Sequence, residues 1–289
     1  MVSPEIGPDK PRTSGRVCAS ELFPARRLTG KSFAMFLALC AILAPEASLA
    51  TALLYRISDS EILVGADSFL ETDGVEQPPK AVKIHQAGAE FFAIQGKSRV
   101  GETRLIDLIT KAKSGTEDRI ETRRFAPLYQ EALIQWLKDT SAARPDLCRA
   151  YMTNGIVITA FQVFGFREGK PFMETLEFVA EDFGTSVFVR RQQMAFDAGK
   201  ATWIPAGVWT QGNPAKDFII TNDPVGRMRY LFDREFQAVP PNGESKLVRP
   251  PLDILRISAL GAKWIQKKPE CPEIKPYGSS DSVALSPGR

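Results

Sequence analysis

Thr51 carries a hydroxyl that the sequence is laid out to place beside a free amine. Residues 33–44 (FAMFLALCAILA) form an apolar run, preceded by Arg26, Arg27 and Lys31 and followed by Ser48-Leu49-Ala50. A basic flank, a short apolar core and small residues at the cut make a secretory signal peptide. Cleavage after Ala50 would leave Thr51 as the new N-terminus, with an α-amine next to its own hydroxyl. Those two groups can serve as base and nucleophile together. Chemistry of that kind needs a scaffold to hold the strand that Thr51 begins, so the elements downstream decide whether it is possible.

The chain has 289 residues. Residues 51–289 suffice for one large domain or two small ones. A composition of 44% hydrophobic and 25% charged residues supports a sizeable core. The first fifty residues carry six Lys/Arg against four Asp/Glu, so the whole-chain charge of +3 leaves about +1 for the rest. This balance gives no reason to expect nucleic acid as a partner. The single histidine, His85, excludes an HExxH zinc site and any imidazole cluster. No metal or other cofactor is expected. Of the four cysteines, Cys18 and Cys40 fall in the leader. Cys148 and Cys271 remain, either paired in an oxidising compartment or as two separate thiols. Gly30-Lys31-Ser32 and Gly96-Lys97-Ser98 lack the earlier glycines of a phosphate-binding loop, having Ala25 and Phe91 there. The apolar run is shorter than the about 20 residues of a membrane span, so export is expected, to the periplasm or outside the cell. Retention of the leader as a membrane anchor is the alternative.

Alternation and turn residues predict strands over 51–57 (TALLYRI), 61–66 (EILVGA), 80–85 and 91–95 (FFAIQ), with a loop over 69–79. Helical periodicity predicts helices over 99–112, with Leu105, Ile109 and Ala112 on one stripe, and over 125–138, with Tyr129, Leu133, Trp136 and Leu137 on one face. Strands over 154–166 and 171–180 flank the hairpin turn Arg167-Glu168-Gly169-Lys170. Segments 185–190 and 201–204 are expected to extend that second sheet. A helix is expected around 226–232 and another over 252–267, opened by Pro250-Pro251, with a last strand over 282–285. This order fits an α+β chain of two stacked antiparallel sheets with helices outside. Residues 1–50 form the leader and residues 51–289 a single domain.

With those elements in place, the chain resembles the proteasome-like branch of the N-terminal-nucleophile (Ntn) hydrolases. That family has a four-layer α-β-β-α sandwich of two antiparallel sheets and a Thr nucleophile opening its first strand. A family Asp ends the second strand sixteen residues later, and a family Lys lies sixteen further on. Carried over, the Thr is Thr51, the Asp is Asp67 in Gly65-Ala66-Asp67-Ser68, and the Lys is Lys83 in Ala81-Val82-Lys83-Ile84. Gly96 matches, after a one-residue deletion, the glycine that closes the fourth strand. Ser279 in Tyr277-Gly278-Ser279-Ser280 matches an auxiliary serine. Three positions depart: Lys97 stands for a second glycine, Pro276 for an auxiliary aspartate, and Ala206-Gly207 for a Gly-Ser-Gly.

The resemblance implies a catalytic set of Thr51, Asp67, Lys83, Gly96 and Ser279, with a physical role for each kind of group. An ammonium about 4 Å from a hydroxyl oxygen favours its ionised form by about 4 kcal/mol at an effective dielectric near 20. Asp67 would keep Lys83 charged and aimed. The α-amine, with an unperturbed pKa of about 8, would move a proton. Backbone N–H groups near Gly96 would face a developing oxyanion. His85, two residues after Lys83, faces the same side of an alternating strand and is expected as a packed or edge residue. The implied function is an exported threonine amidohydrolase, peptidase-like, working through an acyl-enzyme. Its partners would be a peptide or small amide substrate and signal peptidase, with a homo-oligomer as a further implication. The competing expectation is a catalytically inactive binding or assembly protein on the same fold.

Overall fold

In the computed structural model of the protein, the described residues are 51–67, 71–72, 75–76, 82–112, 119–143, 155–207, 222–238 and 248–276, with 145, 151, 209, 213 and 214 standing singly. They belong to one unit, Pro45–Arg289. The leader, Cys148, Ser279 and the strand expected over 282–285 lie outside the described residues.

The described residues begin with two short apolar strands, β1 (Ala52–Ile57) and β2 (Ile62–Ala66), both rich in β-branched and large aliphatic residues. Ser58 closes the turn between them: its N–H and its hydroxyl both donate to the Glu61 carbonyl, at 2.9 and 3.1 Å. The segment read as a loop contains a small hairpin, β3 (Glu71–Thr72) with β4 (Val75–Glu76). Next come β5 (Ile84–Ala87) and β6 (Glu90–Gly96), joined through Gly88 in the left-handed region. The expected helix over 99–112 starts late. Arg99–Val100 and Thr103–Arg104 form a tight hairpin (β7, β8), and only Leu105–Lys111 is helical (α1). Leu105 and Ile109 are buried as the stripe required. Helix α2 (Thr122–Ala143) is longer than expected and buries Phe125, Tyr129, Leu133 and Leu137.

Strands β9 (Val157–Arg167) and β10 (Lys170–Glu181) form the long hairpin foreseen at Glu168-Gly169, where φ is 53° and 73°. Two positive φ values in succession give the right-twisted turn that antiparallel strands favour. Strand β11 (Ser186–Met194) pairs with β10. Strand β12 (Thr202–Gly207) departs from expectation: it joins the first sheet beside β1, not the second. Helix α3 (Pro224–Gln237) starts with Pro224, and the Asp223 carboxylate accepts from the Val225 N–H at 3.0 Å.

The helix expected over 252–267 is absent. In its place stand β13 (Asp253–Ser258) and β14 (Gly261–Gln266), an antiparallel hairpin. Its first strand sends Leu255 and Ile257 toward the second sheet and Ile254 toward the helix on the other side, with Arg256 and Ser258 only partly buried. Its apolar residues therefore do not alternate strictly, and period alone does not separate it from a helix.

Two five-stranded antiparallel sheets result, in the orders β12-β1-β2-β13-β14 and β11-β10-β9-β6-β5. One core joins them: Leu53, Tyr55, Val64, Leu255 and Ile257 of the first sheet pack with Ile84, Phe91, Ala93, Phe164 and Met173 of the second. A second core lies between α1, α2 and the other side of the second sheet, around Phe92, Phe161, Leu176 and Phe178. A third joins α3 to the first sheet through Leu54, Leu63, Met228, Phe232 and Ile254. Gly65 permits that last contact, since a Cβ there would lie 2.7 Å from Met228 Sδ and from Phe232 Cε2. The chain is thus mixed α+β, with two large antiparallel sheets and three helices among the described residues, an arrangement consistent with a sandwich.

Candidate active site

Three of the residues singled out in the sequence meet at one end of the first sheet. Thr51 immediately precedes β1, Asp67 immediately follows β2, and Lys83 immediately precedes β5. Because β1 and β2 are antiparallel neighbours with Leu53 opposite Ala66, the start of one and the end of the other come together. Lys83 arrives from the second sheet. Its Nζ donates to Thr51 Oγ1 and lies 3.9 Å from Asp67 Oδ1. Thr51, Asp67 and Lys83 are 3%, 0% and 4% exposed.

Asp67 does more than balance charge. Its Oδ1 accepts from the Ala52 N–H at 2.9 Å, and its own N–H donates to the Ala52 carbonyl at 3.2 Å. This reciprocal clamp fixes the peptide unit that follows Thr51. Burial holds the Lys83 amine well below its ordinary pKa; Asp67 opposes that shift and the positive Lys268 adds to it. A lysine so placed gives up its proton more readily than one in water, yet remains hydrogen-bonded to the hydroxyl oxygen.

Gly96 closes β6 opposite Thr159, with φ of 76°. The backbone just beyond it is pinned. The Lys97 carbonyl accepts from Tyr129 OH at 2.5 Å and from Thr159 Oγ1 at 2.7 Å, and the Lys97 ammonium lies over the Trp136 ring. Gln95, one residue earlier, brings this strand end to Thr51. A Cβ built on Gly207 would lie 1.8 Å from the Thr51 carbonyl oxygen and 3.4 Å from Gln95 Nε2. Gly207 ends β12 opposite Ala52, with φ of 80°. Gly207, from one of the three segments that depart from the family pattern, therefore lies directly against Thr51.

His85 packs on an aromatic residue of β6, although it and Lys83 both feel the Lys268 charge. Lys83 stands outside β5, so the strand's alternation does not extend to it. His85 sits opposite Phe92 and stacks on it with ring centroids 5.0 Å apart. Loss of solvation draws its pKa down to about 4, with the Val82 backbone opposing and Lys268 adding to the shift.

A second buried ion pair lies nearby, with no motif to signal it. Asp253 stands opposite Ala66 on β13, one residue from the Asp67 position. Lys268 donates to it twice, from N–H to Oδ1 at 2.9 Å and from Nζ to Oδ2 at 2.7 Å. Cys271 is buried against the same pair, and desolvation beside Asp253 pushes its thiol up to about 12. An aspartate and a lysine fifteen residues apart carry no recognisable pattern, and the misassigned helix hid the strand that aligns them. Past this point Gln86 holds the Lys275 backbone by two bonds, 2.8 and 2.9 Å, bringing the tail alongside β5. Pro276, at the family's aspartate position, is exposed.

Among the described residues no group of three or more His, Cys, Asp or Glu side chains could hold a metal ion. None of their helices is long and apolar enough to cross a membrane. Two surface cavities, of about 240 and 390 Å³, are lined by α2 with β11 and by β14 with residues 273–274; neither touches Thr51. No protein-family model matches the chain, and no curated protein matches it.

Proposed function

We propose that the chain is an exported N-terminal threonine amidohydrolase with the four-layer α-β-β-α architecture of the proteasome-like Ntn hydrolases. The observation that carries this reading is the hydrogen bond from Lys83 Nζ to Thr51 Oγ1, with Asp67 behind both groups. In the full-length chain the Thr51 nitrogen is an amide and has no basicity. Cleavage after Ala50 turns it into an amine.

Thr51 Oγ then attacks the carbonyl carbon of a peptide or small amide. The hydroxyl proton passes to the α-amine, helped by Lys83, whose lowered proton affinity brings its neutral form within reach. A backbone N–H near Gly96 would face the oxyanion, the Lys97 N–H being already donated to the Ile158 carbonyl at 3.2 Å; one such donor is worth about 2.7–4 kcal/mol. Collapse breaks the C–N bond, and the α-amine returns the proton to the departing amine. Water hydrolyses the resulting ester and frees Thr51. Signal peptidase supplies the activating cut, so the site is made on export to the periplasm or the cell exterior. Ring or other homo-oligomeric assembly belongs to the same reading.

Intact mass of the protein recovered from an exporting host tests it directly. The expected N-terminus is Thr51, and a β-lactone acylating probe should label that residue; Thr51→Ala should abolish labelling while keeping the fold. An N-terminus at Ala52, or an intact leader, removes the mechanism. The second reading, an inactive binding or assembly protein, draws on Pro276 and Lys97 standing where the family has Asp and Gly. A mature Thr51 that resists the probe selects it.

A further inference from the structure

Three buried polar atoms in the core between the two sheets stand out. Tyr55 OH, Gln95 Nε2 and Gln162 Oε1 are buried and have no hydrogen-bond partner among the described residues. The residues themselves are 0%, 2% and 2% exposed. Buried polar groups are almost always satisfied, and the exceptions call for an explanation such as an ordered water.

All three face one layer. On β6, Phe91 and Ala93 point between the sheets, and Gln95 follows them by two residues. On β9, Phe164 points the same way, and Gln162 is two residues from it and directly opposite Ala93. Gln95 and Gln162 are therefore diagonal neighbours on one face, at a separation that long side chains span. Tyr55 stands edge-on to Phe164, with ring centroids 5.2 Å apart. Burial raises the pKa of its phenol, which stays protonated and able to donate.

One unmatched donor and one unmatched acceptor on adjoining strands form the complement of a water molecule. A buried water needs two to four polar partners. We infer that an internal water lies between the sheets, accepting from Gln95 Nε2 and donating to Gln162 Oε1, with the Tyr55 hydroxyl as its third available partner. This site adjoins Thr51 from the inside. The same Gln95 nitrogen lies 3.4 Å from the point where a Gly207 side chain would begin, a point 1.8 Å from the Thr51 carbonyl oxygen. The water fixes the Gln95 amide, and Gln95 immediately precedes Gly96 at the strand end that backs Thr51. The site does not depend on the hydrolase reading, because leaving two buried amide atoms unsatisfied is unfavourable in an active or an inactive protein.

A crystal structure of the full chain, at a resolution where waters are ordered, is the first test. The expected result is one water within hydrogen-bond distance of both amides. A dry gap, or a direct Gln95–Gln162 hydrogen bond, overturns the inference. Stability provides the second. Gln95→Leu and Gln162→Leu should each lower the melting temperature, and the double variant should melt above the lower of the two, because it removes both partners of the water together. Strictly additive losses overturn the inference. Failure of the β-lactone probe to label Thr51 would end the hydrolase reading and leave the expected water unchanged, so the two failures are distinguishable.

Discussion

Replacing Gly207 by alanine probes the packing that places Thr51. Two separate costs are expected. Gly207 has φ of 80°, and an L-residue in that region costs about 1–2 kcal/mol. Its Cβ would also lie 1.8 Å from the Thr51 carbonyl oxygen, where contacts under 3.0 Å are essentially never seen. The atom it meets is main chain, so the backbone at Thr51 must move by about 1 Å, at an overpacking cost of about 1–3 kcal/mol. Gly169 supplies the control. Its φ is 73°, and an added Cβ would meet nothing within 4 Å, so Gly169→Ala carries the conformational cost alone. Urea unfolding should show Gly207→Ala destabilised by about 1–3 kcal/mol more than Gly169→Ala. A misplacement of about 1 Å at a reacting group costs about 10²-fold, so labelling of mature Thr51 by the β-lactone probe should slow by that order in Gly207→Ala only. Equal unfolding midpoints and equal labelling rates for the two variants would refute the packing argument.

Lys83→Met and Asp67→Asn should be coupled: with the charges 3.9 Å apart and buried, breaking the pair from either side costs about 3–5 kcal/mol. The double variant should lose less than the two single losses together, and additivity within about 0.5 kcal/mol in a urea double-mutant cycle at pH 7 would contradict the ion pair. His85 gives a pH signature of definite sign. Its pKa is lowered from 6.5 to about 4, so between those values the unfolded chain binds the proton and the folded chain does not. Stability contributed by keeping His85 neutral therefore rises with pH from about 4 to 6.5, and the cost is fully present below about 4. His85→Leu should remove this part of the acid destabilisation, at most about 3 kcal/mol; urea midpoints at pH 4 and pH 7 that shift equally in both proteins would rule it out.

Where the chain alternates with one face in a core, or carries a defined turn, sequence and structure agree. Gly169 marks its hairpin because glycine accepts a positive φ without a Cβ clash, while Glu168 joins it in the left-handed region at φ 53° without that freedom. The expected leader cut points to Thr51 and the family resemblance to Asp67 and Lys83, and the geometry brings those three side chains together. The failures share a cause. In residues 252–267 the apolar positions of β13 serve two layers, Leu255 and Ile257 facing the second sheet and Ile254 facing α3, so they do not alternate strictly with the polar ones and mimic a helix. The turn at Ala259-Leu260-Gly261 was the available cue, with Gly261 at φ 145°. Strand β12 was assigned to the wrong sheet because pairing partners are a long-range choice that residues 201–204 do not encode locally. Gln95, Gln162 and Asp253 escaped notice for another reason. A polar residue inside a strand looks like a solvent-facing one until the opposite layer is known.

The Asp67 clamp grips Ala52, not Thr51, and it is complete while the leader is still attached. Under the proposed reading, nothing in the scaffold has to rearrange when the precursor is cut. A folded precursor would be kept silent by one covalent bond, so the moment of activation would belong to another protein.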